Sequence, residues 1–164
     1  MPDPQDERWM REAIALALTK GSDPSDTPIA AIIVRDGKVL AARCNETVET
    51  CDATAHAEIV AMRAAGAAIG DMELRGATLY STLQPCGMCT MASIWSKLGR
   101  VVFGAGREDV HPMYFEDRQI DTIDFIRDAW RDDLSIEGGV LAAQCAKLYF
   151  GPDDDVPVDE QGNI

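Results

Sequence analysis

The chain has 164 residues, with 15 Lys and Arg against 28 Asp and Glu, and a formal net charge of −13. That length fits one domain able to bury roughly 70% of its unfolded surface. No apolar run reaches the ~18 residues of a membrane span, and the opening residues are polar and acidic, so neither a membrane protein nor a secretory leader is expected and the cytoplasm is the default address.

Taken in chain order, Asp3-Pro4 reads as a helix start. Trp9, Met10, Ala13, Ile14, Ala17 and Leu18 then make an apolar stripe that predicts a helix to about Lys20. A loop rich in Ser, Asp and Pro follows. Residues 28–35 are an apolar, β-branched run, and Asp36-Gly37 is a two-residue turn into a second strand over 38–43. Residues 45–52 read as polar loop. A helix is expected from near Thr54 to about Ala68, with Gly70 just past its end. Residues 77–82 are the third strand, and a helix follows from Pro85 to about Trp95. Residues 100–104 are a short apolar strand, and 109–116 a loop containing His111-Pro112. Ile120, Ile123, Ile126 and Trp130, three to four apart, predict a helix over roughly 117–130. A short strand over 134–137 and a last helix bearing Leu141, Cys145 and Leu148 end the domain near residue 151. Residues 152–164 are acidic and read as a flexible tail. Strands alternating with helices imply a sheet covered on both faces, partly parallel, with one antiparallel hairpin.

The chemistry concentrates in two short stretches. In Pro85-Cys86-Gly87-Met88-Cys89 two thiols are spaced to grip one metal ion, and Pro85 suits the first position of a helix. Both sulfurs then lie in the positive field of a helix N-terminus, which favours thiolates. His56, one of only two histidines, lies in Thr54-Ala55-His56-Ala57-Glu58. Three protein ligands, His56, Cys86 and Cys89, leave a tetrahedral zinc one position for water, and bound water ionises near neutral pH. Glu58, two residues beyond His56 on a helix, faces elsewhere and suits proton transfer to and from the substrate. H-x-E followed by P-C-x-x-C is the signature of zinc deaminases. With two cysteines given to the metal, Cys44, Cys51 and Cys145 are expected to be reduced thiols.

On these motifs the chain resembles the cytidine-deaminase-like superfamily over roughly residues 6–150. Within it the chain is similar to bacterial guanine deaminases and to tRNA adenosine deaminases. The resemblance implies a three-layer α/β/α sandwich with a five-stranded mixed sheet, a homodimer, and zinc on His56, Cys86 and Cys89. It further implies Glu58 as the proton shuttle, and Asn45, Ala57, Trp95 and Asp117 as contacts of a small heterocyclic substrate. The segments 98–105 and 139–145, together with Ile29, are similar to the tRNA enzymes. Trp95 and residues 114–117 resemble guanine deaminases. Gln84 departs from the glutamate that both relatives usually carry before Pro-Cys.

The charge distribution turns the preference. Residues 1–100 hold 10 basic and 13 acidic residues, whereas 101–164 hold 5 and 15. A polyanion is repelled by such a second part unless a basic patch overrides it, and the arginine-rich ending of the tRNA enzymes is absent. The expectation is therefore a guanine-deaminase-like enzyme on a small nucleobase, nucleoside or related amino-heterocycle, releasing ammonia, with no nucleic-acid partner. The alternatives are a tRNA adenosine-to-inosine deaminase and a non-catalytic zinc module. Each residue also has a plainer reading. Cys51 can complete a closed structural zinc site, the CxxC can be a redox pair, and Asn45 a turn residue. Trp95 can be core, and Asp117 the N-cap of the next helix.

Overall fold

Asp3 caps the first helix by accepting the Gln5 N–H at 2.8 Å, and Pro4 opens it, giving α1, Pro4–Ala17. The computed structural model describes residues 3–116, 118 and 120–161. The expected stripe is the buried face of α1 through Trp9, Met10, Ala13 and Ala17, whereas Leu18 lies beyond the helix and is exposed. Asp36 and Gly37 both take positive φ, 52° and 70°, and this mirror-type turn joins β1, Ala30–Arg35, to β2, Lys38–Cys44.

Beyond the hairpin come a short α2, Thr47–Thr50, in what reads as loop, then α3, Ala57–Ile69, closed by Gly70 at φ 68°. The remaining elements are β3, Thr78–Leu83, α4, Gly87–Trp95, β4, Arg100–Ala105, α5, Thr122–Arg127, β5, Ser135–Glu137, and α6, Ala142–Cys145. The five strands lie in the order β2-β1-β3-β4-β5. β1 pairs antiparallel with β2 and β3, while β3–β4 and β4–β5 are parallel. This is the expected five-stranded mixed sheet.

Both faces of the sheet are buried. On one side Ile32, Val34, Tyr80 and Val102 pack with Trp9, Met10 and Ala13 of α1 and with Cys145 and Leu148 near α6. On the other, Ile33, Leu79 and Val101 pack with Ala61, Met62 and Ala65 of α3 and with Ile126 of α5. Adjacent residues of one strand thus serve opposite layers, which is why β1 and β4 read as continuous apolar runs. Burying a side chain such as Met10 fully contributes roughly 1.5–3 kcal/mol.

Two local expectations change. Helix α5 is only six residues long: Asp121 sets its start by accepting the Ile123 N–H at 3.0 Å, and it ends at Arg127. Ile120 and Trp130, read as part of its apolar stripe, are 55% and 104% exposed. The last helix is one turn of α6 followed by a 3-10 turn at Ala146–Leu148. In the acidic C-terminal segment Val156 is buried, and Gln161 donates to its carbonyl at 2.8 Å. Among the described residues no helix is long and apolar enough to cross a membrane.

The topology brings four chain segments to one edge of the sheet. These are the C-terminal ends of parallel β3 and β4, the entrance to β1 at Ile29, and the exit of β2 at Asn45. Ligand sites in such sheets gather at this edge. The backbone N–H of Asn45 donates to the Ile29 carbonyl at 2.9 Å, locking two of these segments together.

A zinc-dependent active site

His56 and Cys86 occupy equivalent positions, each the N-cap of a helix with extended backbone and no side-chain capping bond. Their side chains are thereby left to converge. Pro85 precedes the cap of α4 and does not take the first helical position; Cys86 holds the cap and Cys89 the first turn. The positive ends of α3 and α4 both point at this spot and favour anionic sulfur. His56 Nδ1 lies 3.7 Å from each of the Cys86 and Cys89 sulfurs. The ligand atoms of the three residues lie within 4.8 Å of one another. Two thiols and an imidazole fit zinc and leave one coordination position.

Cys51 does not join this group. It sits at an exposed turn with its thiol donating to the Val48 carbonyl at 3.8 Å. The closed structural site that a fourth cysteine would give is therefore not built from it.

Glu58 is 4% exposed. Ser81 Oγ donates to its Oε1 at 3.0 Å, and Cys89 Sγ to its Oε2 at 3.5 Å. Burial first, and then the nearby Cys86 sulfur, push the carboxyl above its ordinary range. A hydrogen bond from Cys89 holds the Cys86 thiol well below its ordinary value, and that sulfur in turn raises His56. One thiol with a lowered pKa beside one carboxyl with a raised pKa is an arrangement matched to metal binding and proton transfer.

His56, Glu58 and Cys86 line a small cavity of about 30 Å³. Asn45 and Ala57 line it as expected, and both are buried. The Asn45 side-chain amide donates to Thr47 Oγ1 at 3.1 Å and to Thr27 Oγ1 at 3.4 Å, and its backbone carbonyl accepts from Lys20 Nζ at 2.6 Å. Ile29, Leu83, Gln84 and Tyr114 complete the lining, and sequence reading did not assign them there. Ser81 was missed as well; a hydroxyl within the apolar strand β3 was its available signal. Asp117 lies outside the described residues. Trp95 is not brought to this cavity: it is 74% exposed and lines a separate groove of about 830 Å³ between α3 and α4. The groove is the larger of the two, but His56, Cys86 and the buried carboxyl of Glu58 line the smaller one.

Residues 3–105 match the model of the cytidine and deoxycytidylate deaminase zinc-binding region. The chain belongs to this family. It is a zinc-dependent hydrolase of C–N bonds, and the metal is the zinc that His56, Cys86 and Cys89 are placed to hold. It is 34% identical over 148 residues to a tRNA-specific adenosine deaminase of Buchnera aphidicola, covering 90% of this chain and 93% of the relative. A guanine deaminase of Bacillus subtilis is 32% identical over 111 residues, covering 68% and 71%. A solved structure from studies of A-to-I editing by tRNA:A34 deaminases superposes with a TM-score of 0.71 at 31% identity, over 86% of this chain and 98% of that one.

These matches overturn the expected preference for a guanine-deaminase-like enzyme and favour the alternative. Of the described features behind that preference, Tyr114 lines the cavity and Trp95 does not. Trp95 faces away from the cavity, and among the described residues lining the cavity Glu58 alone is acidic. The net charge of a chain says little about the field at one sheet edge, since exposed charges more than about 8–10 Å apart are largely screened.

Proposed function

We propose that this chain deaminates adenosine in tRNA to inosine. The observation that carries this reading is the similarity to a tRNA-specific adenosine deaminase over 93% of that relative's length. When bound, zinc would acidify a water and so supply hydroxide as the nucleophile for C6 of the base. Glu58 would take one proton from the attacking water and deliver it to the adjacent ring nitrogen, then take the second proton from the new C6 hydroxyl and give it to the departing amine, so that ammonia leaves and a carbonyl remains. Ser81 holds Oε1 of Glu58, leaving Oε2 on the side of the metal ligands for this exchange. Asn45, fixed by Thr27, Thr47 and Lys20, and Ala57 at the start of α3 position the base. A base must leave its stack to reach such a recessed site, which anticodon loops allow at small cost.

Incubation of the zinc-loaded protein with an anticodon stem-loop bearing adenosine at the first anticodon position should yield inosine and ammonia. The same stem-loop with guanosine there should yield none. Ammonia released from free guanine but not from the stem-loop would reject the reading.

A homodimer belongs to the same proposal. Met88, Met91 and Trp95, at i, i+3 and i+7 of α4, are 37%, 41% and 74% exposed and continue into the apolar groove that Met72 flanks. An apolar face of this kind suits association with a second copy. Light scattering should give a mass of two chains. Trp95→Asp should weaken the dimer at least about tenfold, since a buried tryptophan anchor typically contributes ~2 kcal/mol or more. A monomeric parent protein would refute this part.

A further inference from the structure

We propose that Gln84 is a positioning residue which clamps helix α5 onto the zinc-binding loop, and that its side chain must be an amide because Asp121 faces it. Gln84 is 5% exposed and stands immediately before Pro85-Cys86. Its backbone N–H donates to the Ala105 carbonyl at 2.8 Å, so the residue is anchored to the end of β4. Its side chain then reaches two other segments at once. Oε1 accepts the Arg107 backbone N–H at 3.1 Å, while Nε2 donates to Asp121 Oδ1 at 3.2 Å and Thr122 Oγ1 at 3.1 Å.

The orientation of the amide is dictated by these partners. A backbone N–H needs an acceptor and a carboxylate needs a donor, so only one placement of oxygen and nitrogen satisfies both. Asp121 Oδ1 simultaneously accepts the Ile123 N–H, which begins α5. The helix start and the zinc loop therefore share one oxygen. A second contact runs in parallel: a Cβ added at Gly87, the residue after Cys86, would stand 3.1 Å from Phe125 Cε2 of α5. Helix α5 rests on the turn between the two cysteines and is held there by Gln84.

Glutamate at position 84 matches the shape but not the pairing. It would set a second carboxyl group, with no amide donor, at hydrogen-bond distance from Asp121, with Thr122 fully buried beside them. Helix α5 would be pushed from the loop and Cys86 would lose its support. Supporting contacts of metal ligands typically change affinity 10–100-fold.

The test is zinc release into a chromophoric chelator, measured for the parent and for Gln84→Glu, Asp121→Asn and the double variant. Q84E should release zinc at least about tenfold faster. D121N keeps Oδ1 for Ile123 and Gln84 and should stay within about twofold of the parent. The double variant removes one of the two facing carboxyl groups and should recover at least half of the loss on a logarithmic scale. Parent-like release from Q84E, or no recovery in the double variant, would overturn the proposal. If Q84E does not fold, a folded double variant supports the pairing and an unfolded one refutes it. Metal retention is read without any substrate, so the outcome is independent of the tRNA reading.

Discussion

Glu58→Gln should lower deamination by at least ~10²–10⁴-fold while leaving the zinc content at one equivalent per chain. The substitution keeps the shape, the packing and an acceptor for Ser81 Oγ, so the fold has little reason to change. What disappears is the group that both accepts and returns the proton. One residue serving two proton transfers puts the loss at the upper end of that range. Glu58 is no metal ligand in this arrangement, since the converging set is His56, Cys86 and Cys89. Metal analysis and turnover should therefore separate. Full ammonia release from zinc-loaded E58Q would reject the assigned role, and loss of zinc together with activity would make Glu58 part of the metal site.

What the sequence makes legible follows the range of the interactions involved. The hairpin was readable because Asp36 and Gly37 supply two positive φ angles within two residues. The metal ligands were readable because helix starts fix which neighbours converge: His56 and Cys86 each sit one residue ahead of a helix, and Cys89 falls in the first turn. Helical period placed Trp95 on one side of α4, but period cannot say whether that side meets a pocket, the core or a second copy. Helix α5 was drawn too long because isoleucine spacing carries on past the Asp121 cap that ends the pattern physically. Gln84 stood out as an odd residue, yet its reason lies 37 positions away at Asp121. Substrate choice was least legible, since the preference was drawn from bulk charge and from a tryptophan that turns outward.

The opposite end of the sheet carries the largest expected effect on stability. Asp6 of α1 is 1% exposed and takes both guanidinium nitrogens of Arg100 at 2.6 and 2.7 Å, plus the Tyr80 hydroxyl at 2.8 Å. These bonds tie α1 to β3 and β4. Arg100 also pairs with Glu137 on β5, so three strands and a helix share one charge cluster. Burial alone would raise the Asp6 carboxyl, but the bonds from Arg100 and Tyr80 outweigh it and hold it below its ordinary value. A carboxyl depressed in the folded state stabilises above its unfolded pKa, roughly 3.9, and loses that contribution as pH falls through the lower folded value. Asp6→Asn should thus destabilise the protein at pH 7. Breaking one side of a buried pair costs about 3–5 kcal/mol, and the lower end applies because Arg100 retains Glu137 and part of its exposure to water. For a chain of this size, ~3 kcal/mol lowers the melting midpoint by roughly 6–12 °C. The gap between parent and variant should begin to narrow as pH falls below about 4, where the unfolded parent's carboxyl takes up a proton, and close as pH passes the lower folded value. Thermal melts from pH 7 down to pH 3 measure both features. A D6N midpoint equal to the parent's at pH 7, or a gap that widens toward acid, would show that the cluster does not stabilise the fold in this way.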